Sequence, residues 1–231
     1  MAAPRWNEFE TRDELAAGLA AKVADTLKAA IISRGTAFLA VSGGTTPGRF
    51  FAALSKQVLD WSKVTVTLVD ERFVPESSPR SNAALAKASL LQNEAAGARF
   101  APLFHEAASV EEGADLADIK LRSLPWPLDA AILGMGADGH TASFFPDAQG
   151  LEALLDPASS RLVMPVHSES AGETRLTLTL PALIGAGLVI VHIEGAEKRN
   201  VIEAALAAER PLPIRTVLDQ APRAAEIYWA P

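Results

Sequence analysis

The chain has 231 residues, 49% of them hydrophobic and 21% charged, enough length and apolar content to bury a substantial core as one domain spanning 1–231. Its 28 acidic residues outnumber 21 basic ones, and the net charge of −7 argues against nucleic acid as a main partner; the absence of cysteine removes disulfides, thiol catalysis and thiolate metal sites. No stretch approaches the ~20 uninterrupted apolar residues of a membrane span, and the N-terminus MAAPRWNEFETRDEL lacks a basic segment followed by an apolar run, so the expectation is a cytoplasmic protein without membrane contact.

In chain order, Thr11-Arg-Asp-Glu14 has the form of a capping box, and Leu15, Leu19, Val23, Leu27 and Ile31 follow at steps of four, which predicts a helix ending near Gly35. TAFLAVSG (36–43) reads as a strand buried on both faces, and a second helix starts at Thr46-Pro47. VTVTLVDE (64–71) is a β-branched strand, Ser81 caps the helix SNAALAKASLLQ, and RFAPLF is a short strand. SVEEGADLADIKLRSL predicts a helix, LDAAILG and LVIVHIEG buried strands, and GAEKRNVIEAALAAE a helix. RLVMPVHS and TRLTLTL, separated by ESAGE, pair as an antiparallel hairpin, and AEIYWA closes the chain as a strand. Helix and strand alternating over nearly the whole length imply an α/β fold of three layers, a mostly parallel, Rossmann-like sheet flanked by helices.

Ligands of such sheets bind beyond the carboxyl ends of the strands. There the sequence places SGGTTPG (42–48), VDERF (69–73), GMGADGH (134–140) and EGAEKR (194–199). GMGADG fits the dinucleotide spacing G-x-G-x-x-G, but Pro146 leaves no room for the helix that must follow, so NAD binding is not expected. The turn holds Asp138 and His140 instead, a carboxylate able to orient an imidazole that acts as general base. Asp138 can equally be a simple cap. SGGTTPG is either a tight turn into a helix or a cradle of free N–H groups for a phosphate. Asp70, Glu71 and Arg72 can be solvated loop charges. Lys198 and Arg199 stand near a helix start, where cations are unfavourable unless an anion binds. Arg175 is a further candidate for a phosphate contact, with a salt bridge to Glu173 as the alternative. His105, His167 and His192 are assigned no chemistry, His192 being read as a hydrogen-bonded core residue. No third ligand is spaced to make a metal site with Asp138 and His140, and no H-E-x-x-H pattern is present.

Taken together in this order, SGGTTPGRFF, VDERFVP with SNAALAKASLL, AAILGMGADGHTASFFP, ETRLTLTLPAL and EGAEKRNVI closely resemble the 6-phosphogluconolactonases, relatives of the glucosamine-6-phosphate deaminases. The resemblance covers roughly residues 36–205. It implies a metal-free and cofactor-free hydrolysis of 6-phospho-D-glucono-1,5-lactone to 6-phosphogluconate in the oxidative pentose phosphate pathway. It further implies that His140 activates water with Asp138 as its partner, and that Gly43, Gly44 and Thr45 hold the phosphate with Arg72, Arg175 and Lys198. A monomer or weak dimer is expected. The deaminase pattern D-E-Y … G-H-I-A-F-N-E-P is not met: Arg72 replaces its tyrosine and Phe145 its glutamate. A non-catalytic sugar-phosphate sensor is the remaining alternative, and it would be marked by loss of His140 or Asp138, both of which are present.

Overall fold

The side chain of Thr11 accepts from the Glu14 N–H, and the first long helix, α1 (Arg12–Arg34), runs from this cap to Gly35, whose left-handed backbone returns an N–H to the Ile31 carbonyl. Leu15, Leu19, Val23 and Leu27 are fully buried along one face of it. The structure, a computed structural model, describes residues 3–207 and 212–231. Before α1 lies a strand that the sequence reading passed over, β1 (Arg5–Glu8), four partly exposed residues with no apolar run to mark them. It is held at a sheet edge by parallel pairing with β10 and by side-chain contacts of Trp6, Asn7 and Glu8.

After α1 come β2 (Ala37–Val41), α2 (Gly48–Leu54), β3 (Val64–Leu68), β4 (Asp70–Arg72), α3 (Asn82–Ser89), β5 (Arg99–Ala101), α4 (Val110–Leu121) and β6 (Ala130–Leu133). The second half holds α5 (Leu151–Leu154), β7 (Val163–Val166), β8 (Arg175–Leu178), α6 (Leu180–Ile184), β9 (Leu188–Glu194), α7 (Ala196–Leu206), α8 (Pro213–Gln220) and β10 (Glu226–Ala230). Seven strands form one parallel sheet in the order β1-β10-β9-β6-β2-β3-β5. Every residue of β2, β3 and β6 is buried, as a sheet with helices on both faces requires. The expected α/β architecture is therefore present.

Three details differ from the sequence reading. The apolar run 64–71 is two strands rather than one: β3 lies in the main sheet, whereas β4 joins β8 and β7 in a separate antiparallel sheet. Val69 is the joint, its N–H bonded to the Val41 carbonyl and its own carbonyl accepting from Leu178. The helices α5, α6 and α8 were not foreseen, being short segments without a long apolar period. The helix expected over 195–209 is described from Ala196 to Leu206, and the end of that expectation lies outside the described residues.

The order of strands fixes the position of the site. From β2 the chain builds outward to β3 and β5 on one side, then crosses back to add β6, β9 and β10 on the other. The connections therefore diverge between β2 and β6, which opens a crevice beyond their carboxyl ends. Ser42 and Gly134, the residues that leave these two strands, meet there: the Ser42 hydroxyl accepts from the Gly134 N–H at 2.9 Å.

Candidate active site

A cleft of about 210 Å³ opens at this divergence, and its wall includes Gly43, Gly44, Thr45, Arg72, His140, Arg175 and Lys198. Asp138 stands behind His140. The eight residues that the resemblance assigns to the site are thus gathered around one cavity, carried by the loops after β2 and β6, by the first turn of α7 and by the small antiparallel sheet.

His140 is held from several directions. One oxygen of Asp138 accepts from both the His140 backbone N–H at 3.1 Å and its ring Nδ1 at 2.6 Å. An ionised carboxylate can only accept, so Nδ1 carries the proton and Nε2 is left with a free lone pair. Nε2 has no protein partner among the described residues. The turn that presents the pair is a loop rather than a helix entrance, and its glycines have specific uses. A Cβ on Gly136 would lie 2.3 Å from both Cε1 and Nδ1 of His140 and 2.6 Å from the Asp138 carboxylate. Gly139 has a left-handed backbone at φ +80°. Glycines of the G-x-G-x-x-G spacing therefore make room for the aspartate and the histidine. Phe145, 4% exposed, lies against the imidazole with ring centroids 4.3 Å apart.

Cations line the same cleft from three elements. Arg72 in β4 and Arg175 in β8 are directly opposed in the antiparallel register, which puts both side chains on one face of the small sheet. Two like charges so placed repel unless an anion joins them. Arg72 donates from Nη1 to the Arg80 carbonyl, and Arg175 from Nη2 to the Ala171 carbonyl at 3.1 Å, while the Nε atoms of both are buried without an acceptor among the described residues. Burial pushes the Arg175 guanidinium down from its ordinary value and Arg72 adds to this, with Asp70 opposing. Lys198, in the first turn of α7, reaches across to donate to the Thr46 hydroxyl at 3.4 Å. Burial lowers its ammonium from the usual lysine value against the raising influence of Glu194 and Glu197. An oxyanion in the cleft would satisfy these donors and restore the charge balance.

The glycine loop supplies the remaining wall. The backbone N–H groups of Gly43, Gly44 and Thr45 have no acceptor among the described residues, and α2 begins immediately beyond them. Gly43 is required for a different reason: a Cβ there would sit 2.0 Å from the side-chain oxygen of Asn82, whose amide nitrogen donates to the Asp70 carbonyl at 2.9 Å. The loop after β2 is thereby packed onto the start of α3.

Some sequence alternatives are corrected. Asp70 and Glu71 are buried, not solvated. Glu71 accepts from the N–H groups of Arg72, Asn82 and Ala83 and from the Ser81 hydroxyl, so it joins β4 to the amino end of α3; burial is the largest influence on its carboxyl and raises it. Asp70 lines the cleft and accepts from Ser143 at 2.6 Å. Glu173 pairs with Arg80 at 2.6 Å rather than with Arg175. Arg199, grouped with Lys198 in the sequence, turns away to Glu8 and Glu203 and stacks on Trp6 and Trp229. His105 lies beside Lys120 and His167 bonds Glu111, both outside the cleft wall. His192 is buried as expected, yet it lines the cleft and its Nε2 has no hydrogen-bond partner among the described residues, Glu194 standing 3.6 Å away. Thr46, Asn82, Asp70 and Gly136 were not assigned roles from sequence, because each is recognisable only by what it touches across the fold. Among the described residues, no group of three or more His, Cys, Asp or Glu side chains is arranged to hold a metal ion, and no helix is long and apolar enough to cross a membrane.

Residues 10–229 match the family model described as glucosamine-6-phosphate isomerases/6-phosphogluconolactonase. The chain belongs to this family. A 6-phosphogluconolactonase of Mesorhizobium japonicum is 62% identical over 226 residues, covering 98% of this chain and 95% of that one, and one of Rhizobium meliloti is 52% identical over 225 residues, covering 96% and 97%. Among solved structures of the family, a 6-phosphogluconolactonase from Shewanella baltica superposes with a TM-score of 0.95 at 37% identity, covering 99% of this chain and 98% of that one. A monomeric glucosamine-6-phosphate deaminase shares the fold, with a TM-score of 0.74 at 16% identity over 98% of this chain and 97% of that one.

Proposed function

We propose that this chain is a 6-phosphogluconolactonase, hydrolysing 6-phospho-D-glucono-1,5-lactone to 6-phospho-D-gluconate in the oxidative pentose phosphate pathway. The observation that carries the reading is the arrangement within one cleft: a histidine with a free Nε2, fixed by a carboxylate, stands across from a set of buried donors suited to a phosphate. Family membership and relatives of that name support it.

The chemistry follows from these positions. The Gly43, Gly44 and Thr45 N–H groups with Arg72, Arg175 and Lys198 bind the phosphate, and this remote contact orients the lactone ring against His140. His140 Nε2 takes a proton from water as its oxygen attacks the lactone carbonyl. Asp138 stabilises the imidazolium that results. The tetrahedral oxyanion collapses by breaking the bond from the carbonyl carbon to the ring oxygen, and His140 returns its proton to that departing alkoxide. The carboxylic acid product then ionises. A single domain over 1–231, a cytoplasmic location and a monomeric or weakly dimeric state belong to the same proposal, the first supported by a family match that spans 10–229.

The test is to generate the lactone in situ and follow its disappearance with and without protein, in chelator, at a pH where spontaneous opening is slow. Acceleration is expected, with His140→Ala losing turnover but retaining affinity for 6-phosphogluconate. Lys198→Ala is expected to weaken that affinity by roughly tenfold or more, the worth of a charge-assisted contact. A wild type that leaves hydrolysis at the spontaneous rate overturns the proposal, and normal turnover in His140→Ala removes the assigned base.

A further inference from the structure

Asp138 fixes one ring nitrogen of His140, but a single hydrogen bond leaves the imidazole free to tilt about it. The residue against the face of the ring is Phe145, five positions along the same loop. Its side chain is almost completely buried, and the two planes meet at 31° with centroids 4.3 Å apart. The loop around it is itself anchored. Thr141 donates to the Gly134 carbonyl at 2.7 Å, and Ser143 donates to buried Asp70 at 2.6 Å while its N–H reaches Thr177 in β8. The phenyl group is therefore fixed to both sheets. The same ring also carries Arg175, whose guanidinium carbon lies 5.6 Å from its centroid. One apolar side chain thus lies beside both the base and a cation of the proposed phosphate site.

We propose that Phe145 is a positioning residue for the hydrolytic reaction: its ring holds the plane of His140 so that Nε2 stays aimed at the attacking water, in register with the anion held by Arg175. This inference rests on the lactonase reading. A generic packing residue would contribute through volume, whereas a clamp of this kind contributes through a flat face, and the two are separable. A flexible side chain of comparable bulk fills the space without fixing the tilt of the imidazole.

The experiment compares the full-length wild type with Phe145→Met, Phe145→Leu and Phe145→Tyr, measuring kcat on lactone generated in situ and, separately, Kd for 6-phosphogluconate. Thermal melts verify that each variant is folded. Phe145→Met and Phe145→Leu are expected to lose at least about tenfold in kcat, since a misplacement on the order of 1 Å costs up to about a hundredfold. The change in Kd is expected to stay within about fivefold, because a cation on an aromatic face at this distance is a weak contact. Phe145→Tyr, which keeps the flat face, is expected to recover most of the rate. The clamp is overturned if Phe145→Met, folded, turns over within about twofold of wild type, if Phe145→Tyr is impaired as much as Phe145→Met, or if kcat and affinity fall together. An inactive wild type overturns the lactonase reading and the positioning role of Phe145 with it; an active wild type matched by Phe145→Met overturns the clamp alone.

Discussion

Gly136→Ala puts the link between the glycine turn and catalysis to a quantitative test. The added methyl carbon would sit 2.3 Å from Cε1 and Nδ1 of His140, where ordinary contact begins at 3.4 Å, so the imidazole must retreat by about 1.1 Å. It cannot do so freely, because Phe145 lies against its face and Nδ1 is tied to Asp138 at 2.6 Å. The backbone of Gly136 is outside the left-handed region, so alanine is tolerated there conformationally. The two backbone bonds of the turn, from Gly136 N–H to His140 and from Gly139 N–H to Gly136, also remain. The perturbation therefore falls on the side-chain pair. A displacement of this size is expected to lower kcat by on the order of a hundredfold. Affinity for 6-phosphogluconate should change by no more than about threefold, since the three atoms nearest the methyl group belong to His140 and Asp138 and not to the proposed phosphate donors. The assay is initial-rate hydrolysis at saturating lactone, corrected for spontaneous opening, beside a direct titration of 6-phosphogluconate. A variant with kcat within about threefold of wild type would refute the reasoning.

Two further outcomes follow from the charge environment and the packing. Burial lowers the Lys198 ammonium, so affinity for 6-phosphogluconate should fall as pH rises through that lowered value, sooner than an ordinary lysine would allow; in Lys198→Arg this alkaline decline should disappear, and its persistence would assign the titration to another group. Asp118 accepts from Leu162 and Val163 N–H groups and from Arg122, so Asp118→Ala should cost about 3 kcal/mol and lower Tm by roughly 6 to 12 °C in a thermal melt, whereas an unchanged Tm would show that β7 is held by other contacts. The sign of its pH dependence is fixed: burial opposes but hydrogen bonds and Arg122 prevail, so its carboxyl lies below the ordinary 3.8. Its stabilisation is complete above that value and lost as pH falls through the folded one, so chemical unfolding in acid should show a shallower pH dependence in Asp118→Asn.

Much of this protein is determined by local sequence. Thr11 and Gly35 bound α1 because a cap and a left-handed residue act within one turn, and β2, β6 and β9 announce themselves as buried strands through continuous apolar runs, interrupted in β9 only by His192 before its terminal Glu194. The position of the cleft was equally legible, since SGGTTPG, VDERF, GMGADGH and EGAEKR lie at the ends of β2, β3, β6 and β9. Local pattern failed where pairing partners decide the outcome. The run 64–71 has one composition but joins two sheets, because Val69 bonds β2 through its N–H and β8 through its carbonyl. Lys198 and Arg199 are neighbours of like charge, yet side chains on successive residues of a helix leave in different directions: one enters the cleft and the other pairs with Glu8. Arg72 and Arg175, about a hundred positions apart, become a cation pair only through antiparallel register, and Gly136 is explained only by the imidazole that folds back onto it. Sequence thus determined most of the elements and the motifs that line the cleft, because propensity and capping act over a few residues. Tertiary structure decided which of those residues meet, because side-chain contact depends on the direction each element imposes and on strands brought together from distant parts of the chain.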